Sequence, residues 1–165
     1  MMNEKTSLTK RERQLAALSH ASILLGFFTN GLGGALMAAI IWIVERERSA
    51  YVRFQALQAV AYQLLGTVAW VLVWCCWLGF YMLTLIPLIF GPARHAEAPP
   101  SIFWVGLGSM VIPFAAMGLW VLYGLWGAIR TYQGADFRYL IVGRLVERYL
   151  AGLEQQSKEN TTGRP

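Results

Sequence analysis

The sequence predicts an all-α, polytopic membrane protein: about four transmembrane helices, the first two a short hairpin, followed by a C-terminal amphipathic interfacial helix. Three observations lead there. The 165 residues are 56% hydrophobic and only 14% charged, whereas soluble domains carry about 25% charged residues. The apolar residues gather in three blocks, Gln14 to Val44, Arg53 to Gly91 and Ile102 to Ile129. Charges lie between the blocks, at Lys5 to Arg13, Glu45 to Arg53, Arg94 to Glu97 and from Arg130 onward. The 14 Lys and Arg against 9 Asp and Glu leave a net charge of +5. Spread as flanks, that charge suits the anionic face of a bilayer, and no nucleic-acid partner is expected.

Residues 1–13 form a cytoplasmic N-terminal segment, and the membrane domain covers 14–130. The first block imitates a signal peptide, but its apolar run continues past the small residues near Ala35 to Ala39 and meets Glu45-Arg46-Glu47-Arg48, so cleavage is not expected. One helix through this block would be about 46 Å long, too long for an untilted crossing of a core about 30 Å thick. Thr29-Asn30-Gly31 and Gly33-Gly34 mark a turn inside it. Charge favours the hairpin reading, helices 14–28 and 32–44: it leaves every Lys and Arg but Arg94 on the cytoplasmic side, whereas a single crossing would also put Lys5, Lys10, Arg11 and Arg13 outside. Such helices are short, so they tilt, thin the bilayer or form a re-entrant pair.

The second block gives a crossing at 54–78, with an outer extension to 90 punctuated by Gly79, Pro87 and Gly91. The third crossing block is 102–129. In 131–154, Phe137, Leu140, Ile141, Leu145, Tyr149 and Leu153 recur at helical spacing while Arg138, Arg144, Glu147, Arg148 and Glu154 occupy other faces, the pattern of an amphipathic helix on the cytoplasmic surface or docked on the other helices. The polar stretch 155–165 reads as a disordered tail.

No crossing contains Asp, Glu, Lys or Arg. Ionisable groups in mid-membrane usually mark ion or proton pathways, so an ion-coupled transporter is disfavoured. No nucleophile, base or metal-ligand set is visible, and neither enzymatic activity nor a cofactor or metal is expected. His20 and Asn30 are the polar residues of the first block best placed to pack between helices. The adjacent Cys75 and Cys76 read as small packing residues, and Trp70, Trp74, Trp77 and Tyr81 as an aromatic belt or stripe. Gly106, Gly108, Gly118, Gly124, Gly127 and Ala128, with Gly34 and Ala38, would allow close helix approach.

The most informative face begins at Arg53. There the guanidinium can snorkel, Phe54 can anchor at the interface, and Gln55, Gln58, Tyr62 and Gln63 share one broad helical side. Amides cannot face lipid unsatisfied, so this side must meet another helix or line a groove.

Arg53-Phe54-Gln55-Ala56-Leu57-Gln58-Ala59 after a short charged loop resembles a signature of the Tic-twenty-like superfamily, relatives of a chloroplast envelope import component. A bacterial branch of unknown function is similar in its start, Gln14 to His20, its Gly31 to Gly33 turn, and its end at Ala128-Ile129-Arg130. The resemblance implies four helices with both ends inside. The expected function is a non-enzymatic structural or assembly subunit in the cytoplasmic membrane, its partners being the lipid bilayer and a second copy or other membrane proteins. The alternative is a translocation or conduction component with a Gln-lined helix face, and a second, less favoured alternative is an intramembrane enzyme.

Overall fold

A computed structural model describes residues 8–91 and 98–162, and among these residues the chain is all-helical with no strand. The elements are α1 Lys10–Ala21, α2 Ile23–Phe28, α3 Leu32–Glu45, α4 Ala50–Phe90, α5 Ser101–Gly108, α6 Val111–Tyr132 and α7 Val142–Thr162. Lys5, Arg94 and Arg164, part of the charge argument above, lie outside the described residues.

The first block turns back where the Thr29-Asn30-Gly31 cluster predicts it. Asn30 (φ 52) and Gly31 (φ 91) both take the left-handed conformation, one that small or short polar residues adopt at least cost. The Thr29 hydroxyl donates to the Leu25 carbonyl at 2.7 Å and accepts from the Gly33 amide at 2.8 Å. One arm is divided at Ser22, whose hydroxyl donates to the carbonyls of Ser19 (2.7 Å) and Gly34 (2.9 Å). Such side-chain bonds to backbone compete with the helical ladder and bend it. A Cβ at Gly34 would strike the Ser22 carbonyl and the Gln63 side chain, so the close approach of the arms requires glycine there.

At the open end of the hairpin, Thr9 and Glu12 form a capping box for α1. Arg11 pairs with Glu45 at the end of α3, and the Ser49 hydroxyl donates to Glu12 at 2.7 Å. Glu45 is buried although charged, and its partners are Arg11 and Arg48.

The segment 54–78 and its extension to 90 form one continuous helix of 41 residues that carries Pro87 within it. The block 102–129 is instead two helices. Pro113 explains the break: it has no N–H for the Ser109 carbonyl four residues back, and its ring crowds that carbonyl. The chain closes with a shorter bond, Ile112 amide to Ser109 carbonyl at 3.0 Å.

Two helical segments, Ala50–Phe90 and Ser101–Tyr132, are long and apolar enough to cross a membrane, with mean hydropathies of 2.0 and 1.9 in their most apolar windows. Only 6% and 11% of those windows are buried inside the protein, unlike the core helix of a soluble domain. The hairpin pieces, of 12, 6 and 14 residues, are shorter than the roughly 20 residues a straight crossing needs.

The chain divides into two compact units, one built from residues up to Leu65 and from Leu122 onward, the other from Gly66–Val121. The first has a small apolar core of Ile41, Val52 and Ala56, packed by Leu15, Trp42 and Tyr51. The second is ordered by an aromatic ladder: Trp70, Trp74 and Trp77 meet edge to face, and Trp77 stacks on Tyr81 with ring centroids 5.3 Å apart. Phe114 packs against Trp74, and the Trp77 indole donates to the Ser109 hydroxyl at 3.0 Å, so the stripe is a helix contact and not simply a belt. Cys75 and Cys76 are exposed, which corrects their reading as packing residues.

The C-terminal region departs furthest from expectation. Helix α6 runs to Tyr132, the backbone leaves helical geometry over 133–141, and α7 begins only at Val142, where one helix over 131–154 is expected. Helix then continues to Thr162 through most of the stretch read as disordered, which is rich in Glu, Gln and Lys, good helix formers. Residues 163–165 lie outside the described residues.

Candidate functional site

The polar residues singled out in the sequence converge within the first unit, around the non-helical segment 133–141. Gly134, at φ 81, ends α6 and lets the chain reverse. The Tyr51 hydroxyl donates to the Ala135 carbonyl at 2.9 Å, tying the segment to the start of α4. Phe137 and Tyr139 then point into the unit, each almost fully buried.

A non-helical backbone in an apolar setting must find partners for its own N–H and C=O groups. Gln55 and Gln58, one helical turn apart on α4, supply them. Both side-chain amides donate to the Phe137 carbonyl at 3.1 Å, and the Gln58 carbonyl accepts from the Tyr139 amide at 3.1 Å. Gln55 also reaches Asp136 at 3.4 Å. The two glutamines thus imitate a strand edge for three residues of chain.

His20 completes the arrangement from α1. Its Nδ1 is 3.0 Å from the Tyr139 hydroxyl and its Nε2 is 3.1 Å from the Gln55 carbonyl oxygen. Since an amide oxygen only accepts, Nε2 carries the proton and Nδ1 accepts from the phenol. Burial, followed by the neighbouring Tyr62 and Tyr123 phenols, raises the Tyr139 pKa, which keeps this donor protonated. Tyr62 stacks on Tyr139 with centroids 3.9 Å apart and planes within 3°. The Phe137 ring occupies the space that a side chain at Gly127 would fill.

Gln63 serves a second cluster, donating to the Ser19 carbonyl (3.2 Å) and the Ser22 hydroxyl (3.1 Å), where the bend of the first arm meets α4. Arg53 and Phe54 stay partly exposed at the helix start, and the Arg138 guanidinium sits 5.5 Å above the Phe54 ring. Arg138 also binds Asp136 at 2.9 Å and Glu147 at 2.8 Å. Asn30 departs from its expected role: exposed and in the turn, it packs no helices.

The structure therefore brings His20, Gln55, Gln58 and Tyr62 together and places Gln63 one cluster away. Gln55 and Gln58 have no exposed surface, and of the two uses open to this face, meeting another part of the chain or lining a groove, residues 137–139 fill it in the first way. Sequence reasoning missed Phe137 and Tyr139 as inward anchors, together with Ser19, Ser22 and Glu45. The alternation Phe137-Arg138-Tyr139, aromatic, charged, aromatic, is the period-two signal that helical spacing obscured.

Chemically, the cluster is a hydrogen-bonded network of amides, imidazole and phenol with the Asp136 carboxylate at its edge. Among the described residues no three His, Cys, Asp or Glu side chains converge as a metal site would require. On the outer side of α1 and α6, an open and almost wholly apolar groove of ≈ 400 Å³ runs between Ala17, Ala21 and Ala128.

Residues 11–146 match the model of the magnetosome magnetite crystal formation protein family. No curated protein and no solved structure matches the chain. The family match overturns the resemblance to the Tic-twenty-like superfamily and its bacterial branch. The shared Arg53-Phe54-Gln55 and Gln58 pattern is short, and it consists of interface anchors and amides that serve any helix satisfying a returning segment at its start.

Proposed function

The chain belongs to the magnetosome magnetite crystal formation protein family, and from that premise we propose that it is a non-enzymatic integral protein of the magnetosome membrane, acting as a structural or assembly subunit during crystal formation. The observation that carries the reading is the pair of long apolar segments, Ala50–Phe90 and Ser101–Tyr132, whose surfaces are left uncovered by the protein itself. Lipid is the solvent that such surfaces require. The polar residues support the same role, because their hydrogen-bonding capacity is spent on holding segments together.

Four crossings are the proposed layout, with both ends cytoplasmic and the first two crossings a thin or re-entrant hairpin. The Arg11–Glu45 pair supports it, since it ties the start of α1 to the end of α3 and so keeps both ends of the hairpin on one face. Labelling Asn30→Cys in sealed vesicles separates the two forms: reaction from the far face means a full hairpin, and protection from both faces a re-entrant one.

The bilayer is the first partner, and further copies or other membrane proteins are the next. Gly108 and Gly118 have open space around them, which would allow another helix to approach closely. The test is fractionation of magnetosomes from cells making a tagged chain, paired with deletion. The tag should stay with the magnetosome membrane through alkaline carbonate, and deletion should change crystal size or shape. Release by carbonate would overturn the membrane reading, and unchanged crystals the assembly role.

A further inference from the structure

Helix α7 buries one side against its own unit through Val142, Gly143 and Val146. Its adjoining side is apolar and uncovered: Ile141 is 70% exposed, Leu145 59% and Tyr149 56%. At about 100° per residue Leu145 and Tyr149 lie about 40° apart, with Arg148 and Arg144 about 60° and 100° from Leu145, and Ile141 is the residue immediately before the helix.

The charges of the two arginines are not neutralised. Arg138 already holds the two nearest carboxylates, Asp136 and Glu147, at 2.9 Å and 2.8 Å. Among the described residues Arg144 and Arg148 have no carboxylate partner, and both are exposed. An apolar strip bordered by two free guanidiniums fits a surface that is apolar below and anionic above. A second protein would need an apolar patch ringed by acids, whereas the headgroup layer of an anionic bilayer has this layering everywhere.

We infer that the Leu145 and Tyr149 face of α7, with Ile141 just before it, lies in the headgroup layer of the bilayer that holds the chain, and that Arg144 and Arg148 make this docking selective for anionic lipid. The inference rests on the membrane reading above. Docking fixes the helix from two sides, by the unit through Val142 and Val146 and by lipid through the adjoining strip. The segment carrying Phe137 and Tyr139 is thereby held where α4 and α6 leave the bilayer.

The test uses the full chain with Cys75→Ser, Cys76→Ser and a nitroxide at Leu145→Cys, in nanodiscs of phosphatidylcholine with or without phosphatidylglycerol. Oxygen against water-soluble relaxant accessibility reads the ratio of lipid-immersed to wet label. The label should be immersed in discs containing phosphatidylglycerol. Each of Arg144→Gln and Arg148→Gln should lower the ratio about fivefold, and both together about twenty-five-fold. Paired Arg→Lys replacements should restore it. A label that is wet in every disc, or immersed regardless of lipid charge and arginines, overturns the inference, as does immersion explained by short spin–spin distances between two copies. A chain that never enters discs removes the membrane reading and this one together, and is distinguishable because the fault then precedes any label measurement.

Discussion

The His20 imidazole Nδ1 lies 3.0 Å from the Tyr139 hydroxyl, although 119 residues separate them in the chain. Through this bond α1 and the segment after α6 share one buried network with Gln55 and Gln58 of α4. Tyr139→Phe keeps the ring stack on Tyr62 but removes the donor, leaving Nδ1 buried and unpaired. We expect a loss of about 1–3 kcal/mol. Denaturant titration of the detergent-solubilised protein checks it, and a variant as stable as the parent would show that the bond contributes nothing.

Gln58→Leu should cost a similar amount, about 1–3 kcal/mol, because the Tyr139 amide loses its acceptor while Gln55 still serves the Phe137 carbonyl. Hydrogen exchange gives the sharper readout. Protection should fall first at Tyr139 and its neighbours, and unchanged protection there would remove the clamp from the account.

Gly34→Val should disrupt the hairpin. Its Cβ would meet the Ser22 carbonyl, which is backbone and cannot swing away as a side chain could. Overpacking of this kind costs about 1–3 kcal/mol. Gly118→Val, where nothing lies within 4 Å, is the matched control and should leave monomer stability unchanged. Equal effects at both positions would count against the helix contact.

Glu12 predicts a pH dependence. The Ser49 hydroxyl, then the Thr9 amide and hydroxyl, hold its carboxyl below the usual carboxylate range. A lowered folded-state pKa means that the ionised form is favoured by folding. Its contribution is therefore complete above the unfolded-state value near 4.5 and is lost as pH falls through the folded one. Stability against pH should decline on the acid side, and Glu12→Gln should flatten that decline. Two parallel curves would contradict the assignment.

Much of the architecture was legible because it follows from local rules. The turn at Thr29-Asn30-Gly31 needs residues tolerant of positive φ, and the face of Gln55, Gln58 and Gln63 follows from helical spacing and the cost of unpaired amides. What those amides bind was not legible, since their partners lie some 80 residues away: the pairs of Gln58 with Phe137 and Tyr139 span 79 and 81 positions. Phe137 and Tyr139 also fit a helical apolar pattern, so periodicity alone assigned them to the helix that starts only at Val142. The continuation of α4 to Phe90 follows the apolar run past Pro87, since a helix in apolar surroundings has few alternatives for its backbone groups.

If α4, and α5 with α6, thread this chain through a bilayer, its two ends share a face. Single cysteines at Lys10, Ala98 and Gln156, placed in a Cys75→Ser, Cys76→Ser background and probed in sealed, oriented vesicles with a membrane-impermeant maleimide, test it directly. Lys10→Cys and Gln156→Cys should react from the same face and Ala98→Cys from the other. Reaction of Lys10→Cys and Gln156→Cys from opposite faces, or of all three from one face, would contradict it.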